Sequence, residues 1–446
     1  MHLHSVDSMP GADSDFPVRR RQAWFAFAMT FALMLFDYID RQVIVSLFPH
    51  LKAEWSLSDK QLGALVSIIS IVVAVGSIPV ALLADRLSRV KSIVVMATTW
   101  SLATISCMFT TSFAQLFAAR ALVGVGETGY GSVGAALISS LFPRRLRSAL
   151  LGAFFAAASL GSVLGVILGG VIATRYGWKA AFGVVGVPGL LLALLYMFVS
   201  DYKTVALTPK LDQATQSTVS MLRHIAATLA RTKTLLWVCL GAPMQLIVVS
   251  AIWSWLPSFL NRYHGMAPDQ AGKQAALVVL CGACGSVAWG WVVERVAAGR
   301  PLARLYCMAG LCGLTFAIFL TAFAAPVTAG VQYALILLGG FVMTCTVGPA
   351  ASVVFDVVHP GLRSTGAAVL SLFQNLLGLA IGPFIAGVLS DAWGLQAALA
   401  IAPAFSLLAA FFFVVATRRY EADMRRVSEI QTLEAPAAPP VLRAAA

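Results

Sequence analysis

Long apolar stretches alternate along the chain with short polar connections. Most of these stretches carry no charged residue, and each is long enough to cross the roughly 30 Å hydrocarbon core of a bilayer as a helix. The predicted spans are residues 23–49, 61–84, 92–112, 114–141, 149–173, 180–200, 234–260, 273–293, 302–324, 329–355, 364–390 and 395–416. Their apolar positions run continuously instead of alternating with period two, which favours helices over a β-barrel. The pattern predicts an all-α membrane protein with twelve transmembrane helices.

Composition agrees with this fold class. The 446 residues are 59% hydrophobic and only 11% charged, whereas soluble domains carry about 25% charged residues. The mean hydropathy is +0.85. The first 22 residues are polar and lack the apolar core of a signal peptide, so we expect the first span to remain in the mature protein.

The basic residues are distributed unevenly between alternate connections. If the first span runs outward, 23 of the 31 lysines and arginines fall on the side of the chain termini, six fall on the other side, and Arg41 and Arg120 lie within spans. Because basic residues accumulate on the cytoplasmic side, we predict a multi-pass protein of the cell (inner) membrane with both termini cytoplasmic. The net charge of +12 is then explained by the basic residues on the cytoplasmic side of the membrane, and we expect no nucleic-acid partner.

The two halves of the chain resemble each other, which indicates an internal repeat. The motif Gly-x4-Gly-x6-Gly begins at Gly165 and again at Gly382, 217 residues later, and an arginine closely follows both Pro143 and Pro360. A polar, basic connection at 201–233 separates six spans from six. We predict two pseudo-symmetric six-helix bundles. The divisions are a cytoplasmic N-terminal tail (1–22), an N-terminal bundle (23–200), a cytoplasmic linker (201–233), a C-terminal bundle (234–416) and a cytoplasmic C-terminal tail (417–446).

Three charged residues interrupt the first span: Asp37, Asp40 and Arg41. A charge at the bilayer centre costs about 2.5–3.5 kcal/mol on insertion scales, so such groups face a protein interior or a wet cavity. Asp37 and Arg41 are four residues apart and share a helix face, whereas Asp40 needs a partner from another helix. A static ion pair that fixes helix packing and a proton or substrate site are both open interpretations.

A second buried acid, Glu127, lies in the fourth span. Asp40 is about 24 Å along its helix from Trp24, and Glu127 is about 21 Å from Leu141. Since the two spans run in opposite directions, both acids are predicted to lie at nearly the same depth. Arg120 is two turns from Glu127 on a similar face, and either binds an anionic substrate or anchors the outer interface.

Several motifs resemble those of the major facilitator superfamily. The stretch from Ala81 to Lys91, which contains Asp85-Arg86, resembles its acidic–basic loop after the second span, and Gly290-x3-Glu294-Arg295 repeats it in the second half. Arg120-x3-Gly124-x-Gly126 and the glycine-rich fifth span also match. The resemblance implies a transporter whose gate, on the cytoplasmic side, comprises Asp85, Arg86, Arg89, Arg147, Glu294, Arg295 and Arg363. Alternatively, Asp85, Arg86 and Arg89 are solvated loop charges.

Two motifs are similar to the Spinster-like group of that superfamily. The group shows Asn-(Tyr/Phe)-x-Asp-Arg in the first span, where this chain has Asp37-Tyr38-Ile39-Asp40-Arg41. It shows Gly-x-Gly-Glu-x-(Gly/Ser)-Tyr in the fourth, where this chain runs from Gly124 to Tyr130. The resemblance implies that Asp40 and Glu127 are the protonatable pair and Arg41 their counter-ion. Asp37 departs from the pattern and adds a third acid to the proton-coupling set.

The second half contains no matching acids and instead offers apolar, aromatic and amide groups. We predict an amphipathic or anionic solute whose head lies near the first half and whose tail contacts the second. The predicted substrate-binding residues are Arg41, Arg120, Tyr130, Gln245, Trp253, Gln374 and Asn375. Aromatic residues in these spans are more often interface anchors or core than substrate contacts, and that alternative stays open.

These features predict a proton-coupled secondary active transporter of a small amphipathic or anionic organic solute. The alternatives are an organic-anion/proton symporter of the anion–cation symporter type and a drug or metabolite efflux antiporter.

An enzyme is not expected, because the six histidines lie at ends or loops and Cys281-x-x-Cys284 has no second pair to hold zinc. Gly124-x-Gly126-x-x-Gly129 follows no strand, which excludes a dinucleotide fingerprint. No cofactor or metal is expected. The expected partners are a small-molecule substrate, protons and the lipid bilayer, and the protein is expected to be a monomer.

Overall fold

The computed structural model describes residues 18–86, 88–199, 232–358 and 363–434. Within these ranges twelve helices are long and apolar enough to cross a membrane, which confirms the predicted fold class. Residues 1–17 of the predicted N-terminal tail, 201–231 of the linker and 435–446 of the C-terminal tail lie outside the described residues.

The twelve spans are labelled α1 to α12. They are α1 (Arg20–Val43, Ile44–Leu47 and Phe48–Trp55), α2 (Asp59–Arg86), α3 (Arg89–Cys107), α4 (Phe113–Glu127 and Tyr130–Leu141), α5 (Arg144–Tyr176), α6 (Trp178–Tyr196), α7 (Lys233–His264), α8 (Pro268–Ala297), α9 (Pro301–Ala324), α10 (Ala329–Val342 and Val347–Val357), α11 (Arg363–Phe373, Gln374–Leu379 and Ile381–Trp393) and α12 (Leu395–Ile401 and Ala404–Glu434). The last helix continues well past the predicted end of its span at 416.

Several spans are interrupted near their middle. In α1, Ile44–Leu47 is a 3₁₀ turn, and in α11, Gln374–Leu379 is a π-helical segment. The break in α4 falls directly after Glu127, where Gly129 takes φ 82° and starts a new helical segment. Such a positive φ is easily adopted by glycine and costly for other residues. 3₁₀ and π segments inside helices often mark functional sites. These interruptions therefore indicate a functional site in the middle of the molecule.

Glycines of the repeated motif have equivalent structural roles in the two halves. A Cβ at Gly165 would lie 2.6 Å from the carbonyl oxygen of Ile39 on α1, and one at Gly382 would lie 2.6 Å from that of Ile247 on α7. The last glycine of each copy ends its helix, Gly177 with φ 83° and Gly394 with φ 84°. The predicted repeat therefore corresponds to matching close helix contacts and matching helix ends.

Helix α5 packs backbone to backbone on the charged segment of α1. Added Cβ atoms at Gly161, Gly165 and Gly169 would each lie 2.4–2.6 Å from a carbonyl oxygen of α1. Glycine at every fourth position allows this close approach. The contact holds in place the part of α1 that carries Asp37, Asp40 and Arg41.

We expect Gly165→Ala to lower the thermal stability of the purified protein. A Cβ at this position meets a backbone oxygen that cannot move aside without shifting α1, and overpacking of this kind costs about 1–3 kcal/mol. Gly152→Ala, on the same helix with no atom within 4 Å of its added Cβ, is the matched control and should leave the melting temperature unchanged or slightly raised. Equal melting temperatures for the two variants would contradict the proposed role of the contact.

The two sets of six helices meet on the side of the membrane remote from the chain termini, called here the far side. A Cβ at Gly170 of α5 would lie 2.7 Å from the carbonyl oxygen of Pro268 on α8, and one at Gly387 of α11 would lie 2.4 Å from that of Asp59 on α2. At the other end, a Cβ at Gly152 of α5 would have no atom within 4 Å. The described residues therefore form a structure closed on the far side.

Candidate functional site

Five charged side chains from α1 and α4 meet in the middle of the first six helices. They are Asp37, Asp40, Arg41, Arg120 and Glu127, called here the charge cluster. The acids and Arg120 are buried, with exposures between 0% and 3%. Glu127 is the last residue before the break in α4. The prediction that acids of the first and fourth spans lie at similar depth therefore agrees with the placement of these side chains.

The charge cluster divides into two ion-paired groups. Arg41 Nε lies 2.8 Å from Glu127 Oε2 and 3.8 Å from Asp37 Oδ2. Arg120 Nη1 lies 3.4 Å from both carboxylate oxygens of Asp40. Asp40 thus has its own guanidinium, and Arg41 pairs with Glu127 and Asp37. This arrangement differs from the one implied by the family resemblance, in which Arg41 served both Asp40 and Glu127.

The Asp40 group is enclosed by further hydrogen bonds. The hydroxyl of Thr104, on α3, donates to Asp40 Oδ2 at 3.0 Å. Arg120 Nη1 also donates to the backbone oxygen of Asp40 at 3.4 Å. Neither Arg120 nor Asp40 has any exposed surface. In this structure Arg120 therefore binds α4 to α1 and is not accessible to a solute. Thr104 was not among the sequence-predicted residues, because threonine is common in packed membrane helices.

Arg41 is the accessible member of the charge cluster. Its side chain is 17% exposed, compared with 5% for that of Asp37 and 0% for that of Glu127. Its guanidinium lies over the Tyr38 ring, 5.3 Å from the centroid. With all acids ionised, the cluster holds three negative and two positive charges. Inside a membrane, an unbalanced charge of this kind is costly, so the surplus carboxylate requires a proton or another cation.

Tyr130 is buried beside the charge cluster and has a structural contact in this conformation. Its hydroxyl donates to the backbone oxygen of Thr30 at 2.7 Å, and its ring packs edge-on against Trp100. The hydroxyl groups of Thr30 and Tyr196 are 2.8 Å apart. Tyr130 therefore links the second segment of α4 to α1, close to the break that follows Glu127.

The predicted residues of the second half lie on α7 and α11. Gln245 is fully buried, and its amide nitrogen donates to the backbone oxygen of Met343 at 2.9 Å. Trp253 is half-buried, with its indole nitrogen unpaired among the described residues. Gln374 and Asn375 begin the π-helical segment and are half-buried. The structure records no bond between these four side chains and the charge cluster.

Four of the predicted gate residues make described contacts within their own halves. Arg89 donates to Ser140 Oγ at 2.8 Å, and Arg147 donates to the backbone oxygen of Phe142 at 2.8 Å. In the second half Glu294 pairs with Arg304 at 2.6 Å. The guanidinium of Arg295 lies over the ring of Trp291, 5.0 Å from the centroid. The side chains of Asp85, Arg86 and Arg363 lie outside the described residues.

A second set of polar residues joins the two halves on the far side. Asp59, at the start of α2, accepts from Arg262 of α7 at 2.6 and 2.8 Å and from Ser390 of α11 at 2.5 Å. Lys52 Nζ lies 2.6 Å from Asp59 Oδ1. Asp391 accepts the backbone N–H groups of Asp59 and Lys60, both at 2.8 Å. Lys52, Asp59, Arg262, Ser390 and Asp391 are called here the far-side closure.

Comparison with known proteins assigns the fold and site to a class. The sequence model of the Major Facilitator Superfamily matches residues 30–379. The chain therefore belongs to the Major Facilitator Superfamily and is a membrane transporter, not an enzyme.

Relatives define the group within the superfamily. Protein spinster homolog 3 of Danio rerio is 24% identical over an alignment of 464 positions, which covers 97% of this chain and 92% of that protein. A gallate transporter of Pseudomonas putida is 28% identical over 315 residues, covering 65% and 70%. The crystal structure of a bacterial homologue of the human lysosomal transporter Spinster, inward-facing and unoccupied, has a TM-score of 0.81 at 22% identity, covering 91% and 99%. The predicted resemblance to Spinster-type transporters is confirmed.

Proposed function

We propose that the protein is a proton-coupled secondary active transporter of a small amphipathic or anionic organic solute, working by alternating access. The observation that carries this proposal is the charge cluster, in which three buried carboxylates share two guanidiniums and only Arg41 is accessible. Buried ionisable residues inside a membrane bundle mark substrate pathways and proton relays.

The coupling step follows from competition for Arg41. A solute anion that pairs with the Arg41 guanidinium displaces Glu127, which lies 2.8 Å from it. A displaced, ionised Glu127, whose side chain has no exposed surface, would be left without a counter-ion inside the protein, so it takes up a proton. When the solute leaves, Arg41 returns to Glu127 and the proton is released. Asp40 stays paired with Arg120 at 3.4 Å and holds the two helices together during this exchange.

The nature of the solute follows from the two sides of the central region. Arg41 provides a contact for an anionic head, and the half-buried Trp253, Gln374 and Asn375 of the second half provide aromatic and amide surface. Gln245 has no exposed surface and bonds to Met343, so in this structure it supports the packing of α7. A second candidate is an organic-anion/proton symporter, since the chain resembles a gallate transporter. Gallate is an aromatic carboxylate, which would use the same guanidinium.

The far-side closure supports the alternating-access part of the proposal. With both termini in the cytoplasm, a structure closed on the far side is not open to the outside. On the termini side, the described contacts of Arg147 and Glu294 lie within their own halves. In the opposite state these residues would bond across the halves while the far-side closure separates.

Reconstituted wild-type protein provides the direct test. Proteoliposomes loaded with a pH-sensitive dye should show proton movement when gallate or a lysophospholipid is added outside, and a proton gradient should drive either solute against its own gradient. Uptake of either solute with no accompanying proton flux would contradict the coupling. Transport of small sugars, with both probes refused, would contradict the assigned solute class.

Asp37→Asn is expected to reduce the number of protons moved per solute by up to one. The variant leaves two carboxylates for two guanidiniums, so the cluster no longer carries a surplus negative charge. The ratio is measured from simultaneous dye and radiolabel uptake. Asp269→Asn, which removes an acid paired with Lys273 on a single helix, is the control and should leave the ratio unchanged. An unchanged ratio in Asp37→Asn would show that Asp37 takes no part in coupling.

A further inference from the structure

One exposed face of α12 changes from apolar to basic along its length. Leu407, Phe411 and Val414 are exposed at 45%, 57% and 43%. Arg418 and Arg425 continue the same spacing and are also exposed. Steps of three, four and seven residues keep side chains on one helix face. On this face of α12, the apolar residues exposed to the acyl chains are therefore followed directly by arginines.

A groove between α9 and α12 opens beside these arginines. It has a volume of about 470 Å³ and is lined by Leu302, Thr417, Arg418, Glu421, Ala422, Arg425 and Arg426. On α9, Tyr306 follows Leu302 by one turn and is 54% exposed, so an aromatic surface continues from the groove toward the bilayer.

The groove has an excess of positive charge. Its lining holds three guanidiniums and one carboxylate, that of Glu421, which lies 3.8 Å from Arg425. Two other described acids of α10 and α12 have partners outside the groove: Asp423 accepts the backbone N–H of Thr234 at 2.9 Å, and Asp356 pairs with Arg304. A ligand with a negative charge would balance the excess.

The level of the groove matches the headgroup layer. Arg418 follows Val414 by four residues, a rise of about 6 Å, and the polar layer on each side of a bilayer is about 5–7 Å thick. Side chains on a helix tilt toward its N-terminus, which for α12 points back into the membrane. Arg425, further from the membrane, can therefore reach toward the same layer.

We propose that the groove between α9 and α12 binds the phosphate of an anionic phospholipid from the leaflet on the side of the chain termini. Arg418 and Arg425 contact the phosphate, and an acyl chain lies along Leu407, Phe411 and Val414. This proposal is independent of the solute and of proton coupling. It concerns a peripheral lipid site on the second six helices, away from the charge cluster of the first.

The test compares two neighbouring arginines of equal charge. Arg419 is exposed and adjacent to Arg418, but it points about 100° away and does not line the groove. Purified protein in detergent is titrated with phosphatidylglycerol, and bound lipid is counted by native mass spectrometry. We expect Arg418→Gln and Arg425→Gln each to weaken binding about fivefold. Arg419→Gln should weaken it less than twofold, and Arg418→Lys should retain most of the affinity.

Three outcomes would overturn the proposal. An equal loss in Arg419→Gln would mean that lipid responds only to overall basic charge. Equal binding of phosphatidylcholine would mean that lipid charge is not recognised. Inorganic phosphate that competes as well as phosphatidylglycerol would identify a site for free anions. Melting temperatures measured without added lipid check folding, and Arg425→Gln provides the comparison if Arg418→Gln fails to fold.

Discussion

Glu127→Gln is expected to abolish proton-driven accumulation of solute, reducing it to the level of empty vesicles. Glutamine keeps the size of the side chain but cannot exchange a proton. It also removes the ion pair of 2.8 Å that Arg41 makes across α1 and α4. Among the described residues, the ion pair with Asp37 is then the one that remains for Arg41. The guanidinium stays available, so the solute anion should still bind. Exchange of labelled for unlabelled solute, which needs no net proton movement, should therefore persist.

Two assays on the same vesicles measure this difference. Accumulation is driven by an imposed pH gradient, and exchange is measured with equal solute on both sides and no gradient. Asp269→Asn is again the control and should retain both activities. Loss of both accumulation and exchange in a folded Glu127→Gln protein would indicate a role in solute binding instead. Undiminished accumulation would exclude Glu127 from proton coupling.

The charge cluster was predictable from sequence because a charge inside an apolar window is conspicuous and costly. Helix rise also placed Asp40 and Glu127 at one depth. The pairing was not predictable, because it depends on how α1 and α4 rotate about their axes. That rotation places Arg120 in an ion pair with Asp40 and places Arg41 in ion pairs with Glu127 and Asp37.

The far-side closure had no signal in the sequence. Asp59, Arg262 and Asp391 lie at the ends of spans, where charged residues are common and usually solvated. Their contacts join residues 203 to 332 positions apart in sequence, and no local pattern marks such partners. The repeated glycines gave the closest hint, since Gly387 packs against Asp59, but glycine spacing indicates only close packing.

The two interpretations that the sequence left open apply to different parts of one cluster. Arg120 and Asp40 are without exposed surface and enclosed by Thr104, as expected of an ion pair that fixes packing. Arg41 remains partly exposed between two acids. On this basis we assign the structural role to Arg120 and the exchanging role to Arg41. A fixed pair next to an exchangeable one keeps α1 and α4 together while charge moves between them.

Asp59→Asn is expected to shift the protein toward a state open on the far side. Asp59 is 2% exposed and binds Arg262, Lys52 and Ser390 at once. Removing one partner from a buried ion pair costs about 3–5 kcal/mol, and the lower value applies because Arg262 is partly in solvent. A loss of about 3 kcal/mol changes the ratio of closed to open molecules more than a hundredfold.

The shift can be measured as a distance across the far side. Spin labels at Arg175, at the end of α5, and Gln270, near the start of α8, are on different halves and both exposed. Wild-type protein should give one short distance, and Asp59→Asn should add a longer one. Asp269→Asn removes a carboxylate on the same side whose recorded ion pair, with Lys273, stays within one helix, so it should reproduce the wild-type distribution. If Asp59→Asn also reproduces it, the closure must depend on the close helix contacts at Gly170 and Gly387 and not on the ion pairs.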